Sequence, residues 1–111
     1  MKIDSFPVVD AIKKIIMENR ELDLSVTEIA EKLGISLYYM VHLFKKATGT
    51  TITEYKKSLK LTFAKKLLFD RDKSVAEIAQ ECGFGSSSYF SKVFNKYEGV
   101  TPAYFRKTAR T

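Results

Sequence analysis

Apolar residues recur along the chain at spacings of three and four, which places their side chains on one side of an α-helix. Two stretches show this spacing best, and their apolar side chains are predicted to face inward: Met40, Leu43, Phe44 and Ala47 in the first, and Phe90, Val93, Phe94 and Tyr97 in the second. No segment alternates apolar and polar residues for long enough to predict a strand. The pattern therefore predicts an all-α fold.

Helix starts and stops are marked along most of the chain. A hydroxyl residue stands three positions before a glutamate at Ser25–Glu28, Thr51–Glu54 and Ser74–Glu77. This is the spacing of a capping box, in which each side chain accepts a backbone N–H that the helix leaves unpaired. Thr101-Pro102 marks a further start, and glycines follow four of the expected helix ends. The predicted helices, about seven in all, cover 6–19, 26–33, 37–48, 52–69, 75–82, 87–97 and 102–108.

The chain contains an internal repeat. A shift of 49 residues aligns 26–34 with 75–83, and a shift of 50 aligns 36–51 with 86–101. The slip between the two shifts falls between Gly83 and Ser86, in a turn, where an extra residue costs least. Each copy has a short helix, a turn with glycine and a second helix, the layout of a helix-turn-helix. A generic repeat of helical hairpins is the alternative, although two copies are few for a solenoid.

The repeat predicts how the chain is organised. A support helix and the first helix-turn-helix are expected in residues 1–51, a linker helix in 52–69, and the second helix-turn-helix with a short C-terminal helix in 70–111. The predicted all-α fold is thus two helix-turn-helix subdomains joined by a long linker helix. Cys82 aligns with Leu33, so we expect a buried structural thiol there.

Composition limits the available chemistry. The 111 residues include one cysteine and one histidine, too few for an internal disulfide or a cysteine-based zinc site. No apolar run approaches the roughly 20 residues that a membrane helix needs, and the first residues do not have the pattern of a signal peptide. We therefore expect no metal, no cofactor, no enzymatic activity and no membrane association.

Charge is distributed in phase with the repeat. The net charge is +6, but residues 1–31 carry −3, residues 32–69 carry +7, residues 70–81 carry −2 and residues 82–111 carry +4. In each copy the first helix is acidic, whereas the second helix and the segment after it are basic. Two basic surfaces built on the second helices are typical of helices that face phosphates. This segregation argues against a purely structural hairpin repeat.

Two runs of residues carry a family resemblance. They combine Ile29-Ala30, Gly34-Ile35-Ser36 and Leu43-Phe44-Lys45-Lys46 in the first copy, and Ile78-Ala79, Gly83-Phe84, Ser88-Tyr89-Phe90-Ser91, Gly99-Val100-Thr101-Pro102 and Phe105-Arg106 in the second. From about Leu24 to Arg106 the chain resembles the DNA-binding domain of the AraC-type transcription regulators. It departs from that family's usual Arg, Lys and Tyr at Lys60, Asn95 and Phe105.

The resemblance implies sequence-specific binding to two successive major-groove segments of a promoter, and control of transcription. Expected partners are double-stranded promoter DNA and RNA polymerase, in the bacterial cytoplasm and with the nucleoid. Both motifs lie in one chain, so we expect the domain to be monomeric. We also expect it to be the DNA-binding part of a longer regulator, in which only another domain would dimerise. A module that contacts RNA polymerase or another regulator through protein–protein interaction is the alternative.

The outward stripes of the two second helices coincide with the positions that the resemblance implies for base contact. These are Tyr38, Val41 and His42 on the first helix, and Ser87, Ser88, Ser91 and Lys92 on the second. Tyr38 and Val41 suit thymine methyl groups, whereas serines discriminate weakly between bases. We therefore expect the first subdomain to carry more of the specificity. Ordinary scattered apolar surface residues are the alternative for Tyr38 and Val41.

Phosphate contacts are expected from helix N-termini and from cations around the two stripes. The candidates are Ser36, Lys45, Lys46, Lys56, Lys57, Ser86, Asn95, Lys96, Arg106 and Lys107, with Arg110 beyond them. Any one of these side chains is equally an ordinary solvated one, so the prediction rests on the set.

Overall fold

The computed structural model describes residues 6–19 and 22–109. Over these residues the chain forms seven α-helices and no strand: α1 (Phe6–Glu18), α2 (Val26–Leu33), α3 (Leu37–Thr48), α4 (Ile52–Leu67), α5 (Val75–Glu81), α6 (Ser87–Glu98) and α7 (Pro102–Thr108). The predicted all-α fold is confirmed. None of the described helices is both long and apolar enough to cross a membrane.

The helix starts follow the predicted capping residues. Ser74 Oγ accepts the Glu77 N–H at 3.0 Å, and the Glu77 carboxylate accepts the Ser74 N–H at 3.1 Å. The same reciprocal pair is present at the starts of α2 and α4. Thr101 caps α7, with proline at its first position. These contacts confirm the capping boxes. The boxes could be predicted from the sequence because each joins residues only three apart.

The end of α4 differs from the prediction. The helix was expected to reach residue 69 but ends at Leu67. Beyond it, Asp70 N–H donates to the Leu67 carbonyl at 2.9 Å, which closes a tight turn. Arg106 from α7 donates to the carbonyls of Leu68 (2.9 Å) and Asp70 (3.2 Å). A distant side chain thus satisfies carbonyls just beyond the helix end, where the helix itself supplies no partner.

The chain divides into two compact units, and the division falls between Ser58 and Leu59, inside α4. In the first unit, α1 packs on α2 and α3, and α2 packs on α3. The buried apolar residues of this unit are Val9, Ile12, Ile16, Leu24, Ile29, Ala30, Met40, Phe44 and Ile52. They come from all four helical segments and from the loop before α2, so each of these segments contributes to burial in the unit.

The second unit has one apolar cluster. It consists of Leu61, Ala64, Leu68, Ile78, Ala79, Cys82, Phe84, Phe90, Val93 and Phe94, with Phe105 packed against it. The rings of Phe90 and Phe94 lie 5.7 Å apart, and those of Phe94 and Phe105 lie 5.5 Å apart, both edge to face. Cys82 is 1% exposed within this cluster, which confirms its expected burial.

Two residues predicted to face inward are exposed. Ala47, near the end of α3, is exposed, and Tyr97, its equivalent on α6, is half exposed. In the last turn of each helix the inward position is occupied instead by Thr48 or Glu98, which lies four residues after a buried phenylalanine. Thr48 Oγ1 donates to the carbonyl of Phe44 at 2.8 Å. The last turn of each helix therefore shows a polar side chain at the edge of the core.

The two turns differ by one residue, as the slip in the repeat predicted. Gly34 and Gly83 both adopt positive φ after the first helix of their copy. In the second copy an additional glycine, Gly85, with φ of +83°, stands before the N-cap Ser86. A left-handed backbone favours glycine because it has no Cβ. Phe84, held between the two glycines, is buried in the second core.

Candidate nucleic-acid interface

The outer face of α3 begins at an N-cap serine. Ser36 Oγ accepts the Tyr39 N–H at 3.1 Å, which fixes the start of the helix. Tyr38 is 74% exposed, His42 is exposed and Val41 is half buried. The first turn carries no acidic residue, so the positive end of the helix dipole is not neutralised there. All three predicted base-contact residues of this helix thus lie on one side of it, Val41 being partly covered.

Tyr38 and His42 are held against each other. Their ring centroids lie 3.8 Å apart with an interplanar angle of 25°, so the rings are stacked. The His42 Nδ1 atom lies 2.8 Å from the carbonyl oxygen of Tyr38. Both residues were expected on the outer stripe, but this contact between them was not predicted, although a spacing of four residues brings side chains together on a helix.

The outer face of α6 is shorter and more polar. Ser86 caps the helix, its Oγ accepting the Tyr89 N–H at 3.1 Å. Ser87, Ser88 and Lys92 are exposed and Ser91 is half buried. Asn95 is exposed one turn further on, and the first turn again has no acidic residue. The predicted base-contact residues of α6 therefore also share one side of the helix.

Two tyrosines for which no role was predicted lie beside these faces. Tyr39 on α3 is 41% exposed, and Tyr89, its equivalent on α6, is 45% exposed. Their backbone N–H groups are the ones that the capping serines bind. The 50-residue shift of the repeat was the signal that could have identified them, because it pairs the two tyrosines directly.

The candidate phosphate contacts fall into two groups. Lys46 and Lys107, together with the base-contact candidate Lys92, are exposed and form no ion pair with any residue that the structure describes. Lys45 Nζ donates to the Gly49 carbonyl at 3.1 Å, and Lys96 Nζ lies 5.7 Å from the centre of the Tyr97 ring. All five remain accessible to an anion.

Two candidate cations are engaged inside their own units. Lys56 Nζ donates to the Leu24 carbonyl and lies 3.2 Å from a carboxylate oxygen of Asp23, with its side chain only 15% exposed. Arg106 binds the two carbonyls beyond α4. Lys57, the neighbour of Lys56, is half buried. The structure thus gives Lys56 and Arg106 internal partners that were not predicted from the sequence. Arg110 lies outside the described residues.

Lys60, at a position where the family usually has arginine, also has internal partners. Its Nζ donates to the Gly83 carbonyl at 2.9 Å and lies 5.5 Å from the centre of the Phe84 ring. The cation therefore holds the turn between α5 and α6 and lies over an aromatic face, which stabilises a positive charge. Lysine can make both contacts without the forked geometry of arginine.

Residues 20–108 match a protein family described as a helix-turn-helix domain. A solved transcriptional regulator from Chromobacterium violaceum, described as containing an AraC-type DNA-binding domain, is 32% identical to this chain. The two structures agree with a TM-score of 0.84 over 93% of this chain and 92% of that one. The chain belongs to the AraC-type helix-turn-helix family.

Several curated relatives of this AraC-type domain are named as operon regulatory proteins. The Msm operon regulatory protein of Streptococcus mutans is 38% identical over 99 residues, which are 89% of this chain and 36% of that protein. The melibiose operon regulatory protein of Escherichia coli is 33% identical over 95 residues, 86% of this chain and 32% of that protein. The AraC-type domain therefore spans about a third of the length of these relatives, and it is a DNA-binding domain of transcription regulation.

Among the described residues of this AraC-type domain, no group of three or more His, Cys, Asp and Glu side chains could hold a metal ion. The two exposed faces offer hydrogen-bonding and apolar groups of a size that enters a DNA groove. Hydroxyl, imidazole and ammonium groups bind base edges and phosphates, and an aromatic ring or a valine packs on a thymine methyl.

Proposed function

We propose that this domain binds double-stranded promoter DNA with α3 and α6 as recognition helices in successive major-groove segments, and so regulates transcription. The supporting observation is a pair of exposed faces at equivalent positions of the repeat, each beginning at a serine N-cap and free of acidic side chains in its first turn. In this organisation residues 1–51 and 70–111 each carry one motif, and residues 52–69 join them.

Base contacts are proposed for the outward residues of both helices. Tyr38, Val41 and His42 would contact bases from α3, and Ser87, Ser88, Ser91 and Lys92 from α6. The α3 group combines apolar contact with one imidazole, whereas the α6 group consists of hydroxyls and one cation. Hydroxyls accept or donate with little preference, so water-mediated or shape readout fits α6.

Phosphate contacts are proposed for Ser36, Ser86 and Asn95, near the two faces, and for Lys45, Lys46, Lys57, Lys96 and Lys107. The first backbone N–H groups of α3 and α6 would join them, because a helix N-terminus favours an anion. Lys56 and Arg106 are proposed to stabilise their own units instead, since each already donates to a carbonyl within its unit.

The role of the domain within a whole protein is also a proposal. We propose that it is the DNA-binding part of a longer regulator, monomeric by itself, that acts with RNA polymerase in the bacterial cytoplasm at the nucleoid. The names of the operon-regulating relatives and their greater length support this. We further propose that the domain is not itself an enzyme, a view supported by the burial of its single cysteine, which no substrate can reach.

The affinity for duplex DNA measured over a salt series tests the proposal. Each phosphate neutralised by a cation releases counterions, so about six contacts predict a slope near −5 in log affinity against log salt concentration. A random duplex library selected with the same protein should yield an asymmetric enriched site. A slope near zero would overturn the proposal, and would favour a module that binds other proteins.

A further inference from the structure

The pair formed by Tyr38 and His42 is unusual for an exposed surface because both rings are held in place. The stacking at 3.8 Å restrains the planes, and the hydrogen bond at 2.8 Å restrains the rotation of the imidazole. An exposed histidine normally loses rotational freedom when it binds. Here the folded helix has already imposed that restriction, so the imidazole is oriented before DNA arrives.

The hydrogen bond also decides which nitrogen carries a proton. A backbone carbonyl oxygen can only accept, so His42 Nδ1 must donate to Tyr38. In the neutral imidazole Nε2 then has a lone pair and accepts hydrogen bonds. In the imidazolium both nitrogens are protonated, and Nε2 donates. The Nε2 atom of His42 therefore accepts a hydrogen bond in one protonation state and donates one in the other.

The bases divide along the same line in the major groove. Adenine and cytosine present an exocyclic amino group, which donates, whereas guanine and thymine present only acceptors; the N7 atom of adenine also accepts. We propose that His42 selects an amino base, adenine or cytosine, on the contacted strand when neutral, and that protonation excludes cytosine and admits guanine and thymine. This inference rests on the proposed function and specifies the ligand chemistry of one residue in the interface.

No described ionisable side chain is bonded to the imidazole of His42. Among the described residues its hydrogen bond and ring contact are both with Tyr38, and it forms no ion pair. The charged side chains one turn further along α3 are Lys45 and Lys46, and the first of these is turned to the Gly49 carbonyl. None of the described side chains of α1, α2 or α4 forms an ion pair or hydrogen bond with the ring.

Selection from a random duplex library at about pH 8 and about pH 5.5, on either side of the usual histidine range, tests the inference. With the wild-type chain, guanine or thymine should be gained and cytosine lost at one position of the enriched site as the pH falls. His42→Gln, whose amide does not titrate, should show no such change. His42→Ala should lose preference at that position by about fivefold to tenfold.

A second pair of variants tests the role of the stacked ring. Tyr38→Phe keeps the ring and the carbonyl and should keep the pH-dependent position. Tyr38→Ala removes the ring and should weaken selection there and at the base that Tyr38 itself contacts, while the positions that α6 contacts stay enriched. No gain of guanine or thymine at that position as the pH falls, or an identical switch in His42→Gln, would overturn the inference.

The tautomer can be measured without DNA. A long-range ¹H–¹⁵N spectrum of the free chain at the higher pH should show the His42 proton on Nδ1, and a proton on Nε2 would overturn the inference by itself. If the wild-type chain enriches no duplex, the proposed function fails and this inference fails with it. If it enriches a site that lacks a His42-dependent position, only this inference fails.

Discussion

Adjacent cations in this protein have different partners, and sequence alone does not distinguish them. Arg106 donates to two carbonyls beyond α4, whereas Lys107, the next residue, is exposed. Lys56 is similarly bound to the Leu24 carbonyl, 32 residues away. The two cations of each adjacent pair lie in the same basic segment. Whether one of them has an internal partner therefore depends on the side of the helix that it occupies.

The first prediction uses Arg106 and Lys107 as a matched pair. Arg106→Met should lower the free energy of unfolding by about 1–3 kcal/mol, because two carbonyls lose a charged donor, and should leave the salt slope of DNA binding unchanged. Lys107→Met should leave stability unchanged and make the slope shallower by about 0.9. Urea unfolding and a salt series of affinities measure both. The reverse pattern would contradict the assignment.

The second prediction concerns burial on α6. Phe94 is fully buried and Tyr97, one turn further on, is 50% exposed. Phe94→Ala should lower the free energy of unfolding by about 3–5 kcal/mol, because it leaves a cavity in the second core. The control, Tyr97→Ala, should cost less than about 1 kcal/mol. Equal losses in urea unfolding would mean that Tyr97 lies in the core after all.

At the scale of helices, three capping boxes start α2, α4 and α5. In each box the hydrogen bond from the N-cap backbone N–H is the main cause that lowers the pKa of the glutamate carboxyl group from the usual 4.5, and the N-cap hydroxyl adds to this effect. The three glutamates are Glu28, Glu54 and Glu77. A carboxyl group whose folded pKa is depressed stabilises the fold above its unfolded pKa. That contribution is lost as the pH falls through the folded value.

The third prediction uses this sign. Stability should decline as the pH falls below about 4.5, where the carboxylates that bind the N-cap groups become protonated. Glu77→Gln can still accept from the Ser74 N–H but cannot titrate, so it should flatten part of this decline. Urea unfolding of both proteins at several acid pH values measures the difference. Identical pH profiles would show that the Glu77 box does not contribute.

The capping boxes and the turn between Gly83 and Ser86 could be predicted from sequence because their contacts join residues three to five positions apart. The contacts that follow α4 could not, because Arg106 binds the carbonyl of Leu68 from 38 residues away. The exposure of Ala47 and Tyr97 was also missed. Periodicity gives the direction of a side chain but not how far along the helix the core extends.

At the scale of the whole molecule, the protein has two units with different exposed faces. The α3 face has a tyrosine, a valine and a histidine, and the α6 face has three serines and one lysine. Apolar groups and an oriented imidazole discriminate between base pairs more strongly than hydroxyls do. The first unit should therefore carry more of the sequence specificity, and the second more of the sequence-independent binding.

The fourth prediction compares Val41→Ala with Ser91→Ala, which change equivalent positions, both half buried. Val41→Ala should reduce discrimination against a mismatched base pair by roughly fivefold, because it removes an apolar contact. Ser91→Ala should change discrimination less. Competition binding between the selected site and single-mismatch sites measures both, with unfolding curves as a check on stability. A larger loss for Ser91→Ala would reverse the ranking of the two units.

The sequence by itself determined the helices, their starts, the two-copy repeat and the segregation of charge, because these depend on neighbours within a few residues or on simple counting. It also carried the AraC-type resemblance that the comparisons confirmed. Tertiary structure alone decided which cations have partners inside their own unit. Lys56 and Arg106 are engaged by carbonyls more than 30 residues away, and only the packing of helices brings such groups together.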